Sequence, residues 1–261
     1  MNKPVVLLVD DNKEILEFIA SNLTDTYEVV ECYDGAQALE YLRQNSVHLI
    51  VSDVMMPVMD GFEFCRLIKS DVELSHLPFV LLTAKNTLQS KLEGLELGAD
   101  AYIEKPFSPR HLKTQIANLL ANRRKVMDYF SNSPYAHVKS IAHTREDEKF
   151  MERLTDIIIE HLREQELDVE KLAKYLNMSR PTFYRKIKAI SDLTPNELIN
   201  LTKLKKAAEL LAEGKYNINE IGEIVGYSSS RIFTSNFQKQ FNISPHEYIS
   251  QIKSQSSSSN S

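Results

Sequence analysis

Over residues 1–122 short apolar runs alternate regularly with amphipathic stretches. Val5–Val9, Tyr27–Cys32, Leu49–Ser52, Phe79–Thr83 and Ala101–Ile103 read as strands. Asn12–Leu23, Gly35–Gln44, Phe62–Ser70, Leu88–Leu97 and Pro109–Asn122 read as helices. The central strands are apolar at successive positions rather than alternate ones, so both of their faces must be covered. That pattern predicts an α/β doubly wound fold, with a five-stranded parallel sheet between two helical layers.

Strand signals stop at residue 122. Residues 123–148 read as a partly helical linker with a break at Ser131-Asn132-Ser133-Pro134, and Lys149–Leu162 reads as a helix. Leu112, Ile116, Leu119, Val126 and Phe130 continue an apolar stripe, interrupted only by Arg123. With no glycine or proline between Arg110 and Ser133, the last helix of the first domain is expected to continue past Asn122. It is expected to pack on a partner helix along one seam.

Residues 149–253 contain an internal repeat. Leu172, Ala173, Leu176, Met178 and Ser179 match Ile221, Gly222, Val225, Tyr227 and Ser228 at a spacing of 49. After one inserted residue, Thr194, Pro195, Glu197 and Ile199 match Ser244, Pro245, Glu247 and Ile249 at a spacing of 50. Each later part is a capping box with proline at the first helical position. Each earlier part is a short apolar helix, a tight turn (Asn177-Met178 or Gly226-Tyr227) and a second helix, which together predict an all-α tandem helix-turn-helix. In the second helices Phe183 and Ile187, and then Phe233, Phe237 and Phe241, are expected to face the core. Arg180, Pro181, Tyr184, Arg185 and Lys188, and Ser230, Arg231, Thr234 and Ser235, are left facing outward. Such side chains suit phosphate and base-edge contacts in a major groove. The serine-rich tail 254–261 is expected to be disordered.

Composition changes the picture in one respect. A chain of 261 residues with 43% hydrophobic and 26% charged positions is ordinary globular material, and its longest apolar runs are too short to span a bilayer. The net charge of −5, however, divides unevenly. Residues 1–122 hold 10 basic and 18 acidic side chains (−8), while residues 168–253 hold 13 and 9 (+4). An acidic front and a basic back imply different partners. Cys32 and Cys65 lack metal-ligand spacing and are expected to stay reduced in a cytoplasm.

The candidate chemistry lies at the carboxyl ends of the expected strands, where open α/β sheets form their functional crevice. Asp10 and Asp11 follow the first strand, Asp53 the third, Thr83 ends the fourth, and Lys105 follows the fifth. Three carboxylates repel one another unless a cation sits among them, and a hard, oxygen-ligated ion such as Mg²⁺ suits that set. With the ion and Lys105 neutralising phosphoryl oxygens and Thr83 donating a hydrogen bond, Asp53 is placed to attack a phosphoryl group.

Residues 5–120 resemble the response-regulator receiver family. The resemblance rests on Val9-Asp10-Asp11, the run Ser52 to Gly61 (SDVMMPVMDG), Leu82-Thr83-Ala84, and the run Gly98 to Phe107 (GADAYIEKPF). It implies a flavodoxin-like strand order 2-1-3-4-5 and phosphorylation of Asp53 by a kinase phosphohistidine. It also implies Mg²⁺ ligation by Asp11, Asp53 and the Met55 carbonyl with Asp10 acting through water, a Thr83–Tyr102 switch pair, and a cis Lys105–Pro106 bond. Residues 150–250 resemble the AraC-type transcriptional regulators through Ile218-x-x-Ile221, Val225-Gly226-Tyr227, the Phe233/Phe237/Phe241 row and Ser244-Pro245-x-x-Tyr248. In that family a long helix, here about Pro195–Ala212, joins the two units so that they reach successive major grooves. Two positions depart from the pattern: Gly222 stands for alanine and Asn242 for glycine.

The combined expectation is a cytoplasmic two-component response regulator that makes no direct membrane contact. A histidine kinase or phosphotransfer domain is its donor, double-stranded DNA its target, and a homodimer forms on phosphorylation. Enzymatic activity is expected to be limited to slow self-dephosphorylation, since the Asp-x-Asp pattern of aspartyl phosphatases is absent. Neither a Gly-x-Gly ATP lid nor a kinase-type histidine context occurs. The alternative is the C-terminal receiver and output portion of a longer, membrane-anchored hybrid sensor kinase.

Overall fold

The computed structural model describes residues 3–84, 97–142, 144–162 and 167–258, and the chain divides into two compact units. The first comprises Met1–Lys125 with His143–Asp147, and the second Val126–Ala142 with Glu148–Ser261.

The first unit is built on a five-stranded sheet with the strands β1 (Val5–Val9), β2 (Glu28–Cys32), β3 (Leu49–Asp53), β4 (Phe79–Thr83) and β5 (Ala101–Glu104). Their order is β2-β1-β3-β4-β5 and every neighbouring pair is parallel. The helices α1 (Lys13–Leu23), α2 (Gly35–Gln44) and α3 (Gly61–Ser70) start at the side-chain caps Asn12, Asp34 and Asp60. Apart from Leu97, the helix expected at Leu88–Leu97 lies outside the described residues. On one face of the sheet Ala38, Leu42, Phe64 and Ile68 are buried, and Phe64 meets Phe79 edge-on at 5.4 Å. On the other face Leu16, Ile19, Leu23, Leu112 and Ile116 are buried. Burial pushes the thiols of Cys32 and Cys65 up to about 11 and about 12, which leaves both unreactive.

Helix α4 (Pro109–Asn132) continues ten residues past Asn122, as the unbroken stripe predicts. The stripe does not form one seam, however. Leu112 and Ile116 are buried in the first unit's core, whereas Phe130 is buried in the second unit's core. Arg123, the interruption between them, is itself only 8% exposed.

The second unit contains α5 (Arg145–Glu160), of which the first turn belongs to the first unit, followed by α6 (Val169–Tyr175) and α7 (Arg180–Ser191). The long α8 (Pro195–Glu213) comes next, then α9 (Ile218–Ile224), α10 (Ser230–Phe241) and α11 (Pro245–Ser258). Residues 126–142, expected as linker, instead supply Phe130, Ala136 and Ile141 to this unit's core. Phe130 continues the stripe along α4, whereas no periodicity marked Ala136 and Ile141, because the chain beyond Asn132 turns into a short 3-10 segment, Val138–Ile141. Thr194/Glu197 and Ser244/Glu247 both make the reciprocal capping contacts. Serine side chains near the C-terminus bond back to helix carbonyls (Ser250 to His246, Ser254 to Gln251), and α11 runs to Ser258 rather than becoming disordered at Ser254. Among the described residues no helix is long and apolar enough to cross a membrane.

Candidate functional site

Two places carry the residues singled out in the sequence. The first is the carboxyl edge of the sheet. Asp10 follows β1 and is 2% exposed, Asp53 ends β3 and is 6% exposed, and Asp11 beside them is open to solvent. One oxygen of each carboxylate lies within 4.8 Å of the other two, the one such acidic group among the described residues. The Lys105 ammonium bridges two of them, 2.8 Å from Asp10 and 2.7 Å from Asp53. The peptide bond that follows, Lys105–Pro106, is cis. Thr83 is fully buried at the end of β4, and the Tyr102 hydroxyl is buried beside the sheet in β5.

The loop after β3 is held down by its own backbone. Met55 donates its N–H to Asp53 at 3.0 Å, and Gly61 donates to the Val54 carbonyl at 3.0 Å. A Cβ at Gly61 would stand 2.1 Å from the Asp53 carbonyl oxygen, so any other residue there would push against the strand that aims Asp53. The sequence contains Gly61 within a quoted run, but nothing in its spacing disclosed this contact.

Electrostatics follow from that packing. Burial is the largest influence on Asp53 and raises its carboxyl above the usual range, with the hydrogen bond and charge of Lys105 opposing. Burial works against the Lys105 cation, but the bonds and charges of Asp10 and Asp53 outweigh it and raise the ammonium. A cluster of three carboxylates with one counter-cation is an oxygen-rich niche for a hard divalent ion, and Asp10, Asp11 and Asp53 are the side chains that can hold it.

The second place is the pair of helices α7 and α10. Each begins at a serine cap, Ser179 and Ser229, and each follows a tight turn. Core residues take the positions that spacing assigned: Phe183 and Ile187 are at most 1% exposed, as are Phe233 and Phe237, with Phe241 at 5%. The Phe233–Phe237 and Phe237–Phe241 rings meet edge-on at 5.8 and 4.9 Å. On the opposite faces Arg180, Pro181, Tyr184 and Lys188 are exposed and Arg185 half-buried, while Arg231 and Ser235 are exposed and Ser230 and Thr234 half-buried. Sequence reasoning passed over Ile232, an exposed apolar side chain next to Arg231. Its offset from the phenylalanine row was the available signal, and an aliphatic group there suits a thymine methyl. The long α8 bonds to the second unit of the repeat through Asn200, which accepts from the Tyr227 hydroxyl at 2.6 Å.

Comparison with known proteins agrees with this division. Residues 6–117 match the response regulator receiver domain, and residues 172–251 match a helix-turn-helix domain. Histidine kinase P4 of Formosa agariphila is 39% identical over 253 residues, which is 97% of this chain and 18% of that protein. Response regulator GtcR of Aneurinibacillus migulanus is 38% identical over 125 residues, 48% of this chain and 49% of that protein. Response regulator Rre1 of Synechocystis is 34% identical over 136 residues, 51% and 59% of the two chains. The chain thus spans less than a fifth of the kinase it matches and about half and three-fifths of the two regulators. The sheet with its acidic edge and the repeated helical unit together make this chain a response-regulator receiver domain joined to an AraC-type helix-turn-helix domain.

Proposed function

We propose that this chain is a two-component response regulator in which phosphoryl transfer to Asp53 controls sequence-specific DNA binding. The observation that carries the reading is the Lys105 ammonium shared between Asp10 and Asp53 within a group of three carboxylates. Asp53 attacks the phosphorus of a kinase or phosphotransfer-domain phosphohistidine. The nitrogen–phosphorus bond breaks, the imidazole leaves, and an acyl phosphate forms on the Asp53 carboxylate. A Mg²⁺ ion held by Asp10, Asp11, Asp53 and the Met55 carbonyl would neutralise charge on the transferring group. Lys105 and the Thr83 hydroxyl stabilise the phosphoryl oxygens, and Tyr102 follows Thr83. Self-hydrolysis of the acyl phosphate is slow and resets the protein without making it a turnover enzyme.

On the output side Arg180, Pro181, Tyr184 and Arg185, then Ser230, Arg231, Thr234 and Ser235, contact successive major grooves of double-stranded DNA. Phosphorylation adds about −1.5 to −2 charge at Asp53 and favours a homodimer. Both events belong to the cytoplasm. A second reading is favoured by the match of 97% of this chain to 18% of a histidine kinase. On that reading the same two domains form the output portion of a long hybrid sensor, and the reading frame around the coding sequence decides between the two. The chemistry is tested with a labelled acyl-phosphate donor. Asp53 is expected to label stoichiometrically with Mg²⁺ and not with chelator, and Asp53→Asn to take no label. Full labelling of that variant sinks the assignment, and sedimentation with and without the donor tests the dimer.

A further inference from the structure

The receiver match ends at residue 117 and the helix-turn-helix match begins at 172, yet the first unit holds a buried polar cluster drawn partly from the chain between them. Asp147, in the first turn of α5, is fully buried, and its Oδ1 accepts from the Ser75 hydroxyl at 2.9 Å across 72 residues of sequence. Ser75 is equally buried, in the turn between α3 and β4. Arg123 of α4 is 8% exposed and donates to the carbonyl of His76. Burial lowers its guanidinium to about 10, against the opposing charges of Asp147 and Asp100. The Thr144 hydroxyl accepts from the Asp147 N–H at 3.1 Å, which fixes the start of α5.

Burying a carboxylate and a guanidinium is unfavourable unless each meets a complement, and apolar residues would fill the same space at less cost. What such a cluster provides is one register in preference to others. Connectivity shows which register is at stake. The chain leaves the first unit between Lys125 and Val126, is back in it by Thr144, and leaves again after Asp147. Arg123 and Asp147 therefore close the base of a loop whose interior donates Phe130, Ala136 and Ile141 to the second unit's core. A single tether at α4 would leave that segment one fixed end, whereas the cluster gives it two. Ser75 and His76 also stand just ahead of β4, the strand that ends at Thr83.

We propose that Ser75, Arg123 and Asp147 form a latch by which the receiver unit holds the first turn of α5, and through which the state of the receiver reaches the helix-turn-helix units. The transmission half rests on the function proposed above. The holding half does not.

The test uses the full chain and two mild variants. Asp147→Asn keeps an acceptor for Ser75 but removes the charge that offsets the cost of burying Arg123, and Ser75→Ala removes only the hydroxyl. Amide hydrogen exchange across residues 145–150 is expected to quicken at least ten-fold in Asp147→Asn and less in Ser75→Ala, with β1, β3 and α8 unchanged. Unchanged exchange at 145–150 in both variants overturns the latch. DNA affinity is then measured with and without beryllium fluoride as the acyl-phosphate mimic. The wild type is expected to respond, and the response of Asp147→Asn is expected to shrink to less than three-fold. A full response in that variant overturns transmission while exchange still judges the holding contact. No response in the wild type overturns phosphoryl control itself, which separates the two failures.

Discussion

The two helix-turn-helix units are one sequence pattern folded twice, and their differences show which parts of the pattern the fold needs. Both turns place a residue in the left-handed region at equivalent positions, Asn177 (φ 55°) and Gly226 (φ 80°). Both second helices end the same way, at Asp192 (φ 57°) and Asn242 (φ 59°). The asparagine at 242, a departure from the AraC pattern, thus takes the conformation that a glycine would. The interiors diverge. The first half buries cations against aromatic rings, Lys186 5.5 Å from Phe150 and Lys205, on the shared α8, 4.6 Å from Phe130. The second half stacks Phe233, Phe237, Phe241 and Tyr248 edge to face. A helix-turn-helix therefore fixes its turn and its caps, while the means of filling the space behind the outward helix is free.

The largest contrast lies in the two turns. A Cβ at Gly226 would stand 2.1 Å from the Leu162 carbonyl oxygen, in addition to the strain of its positive φ. Gly226→Ala is expected to destabilise the second unit by about 3 kcal/mol or more in urea unfolding. Asn177→Gly relieves a left-handed side chain and is expected to change stability by no more than about 0.5 kcal/mol. Similar losses from the two would mean that the close approach of Leu162 to Gly226 does not set the turns apart.

The outward faces differ in charge, since α7 presents Arg180 and Arg185 where α10 presents Arg231 among hydroxyls. Arg185→Ala and Arg231→Ala are each expected to weaken specific DNA binding by about 1–3 kcal/mol. Footprints should lose protection on opposite halves of a site whose contacts lie about one helical turn apart. One short footprint, indifferent to Arg231→Ala, would leave the second unit without a role in DNA binding.

Such residues were legible because they obey local rules. The strand-tip carboxylates follow apolar runs, the caps precede proline and glutamate, and the phenylalanine row repeats every four residues. Arg123 and Asp147 were not legible. Each reads alone as a solvated charge, and only a contact spanning 72 residues brings Asp147 to Ser75. Ala136 and Ile141 were passed over for the complementary reason, that irregular chain buries residues without a period, whereas Phe130 lay on the stripe but was assigned to a single seam. The metal-competent set was visible in sequence, but the reach of Lys105 to both Asp10 and Asp53 depends on how the fold brings β5 to the tips of β1 and β3.

One buried cation of the first half, Lys205, carries a pH signature. Lys205 donates to the carbonyls of Ser133 and Ala136, each at 2.7 Å, and burial lowers its ammonium from 10.5 to about 8. Below about pH 8 folded and unfolded chains both hold the proton, and the full cost of the buried charge is present. As pH rises from there toward 10.5, the folded state gives up a proton that the unfolded state keeps, so stability increases. Relative to Lys205→Met, the wild type should gain about 1 kcal/mol between pH 7 and pH 9 in urea unfolding. Parallel pH profiles for the two proteins would show that this lysine keeps an ordinary ammonium in its site.

The smallest expected effect makes the second unit more like the first. Gly222 occupies the position of Ala173, which is 2% exposed in α6. It sits inside α9, is itself buried, and has no positive φ, so its backbone asks nothing that alanine lacks. A Cβ there would meet the Phe233 side chain at 3.4–3.5 Å, ordinary van der Waals contact rather than a clash. Glycine inside a helix costs about 1 kcal/mol relative to alanine, because the unfolded chain has more freedom to lose. Gly222→Ala is therefore expected to stabilise the second unit by about 0.5–1 kcal/mol, read as a higher urea midpoint at unchanged slope. DNA affinity should hold, because the added methyl faces Phe233 and not the outward side of α10. A lower midpoint would mean that α9 and α10 pack more closely than these distances allow, and that glycine at 222 is required by the contact with Phe233.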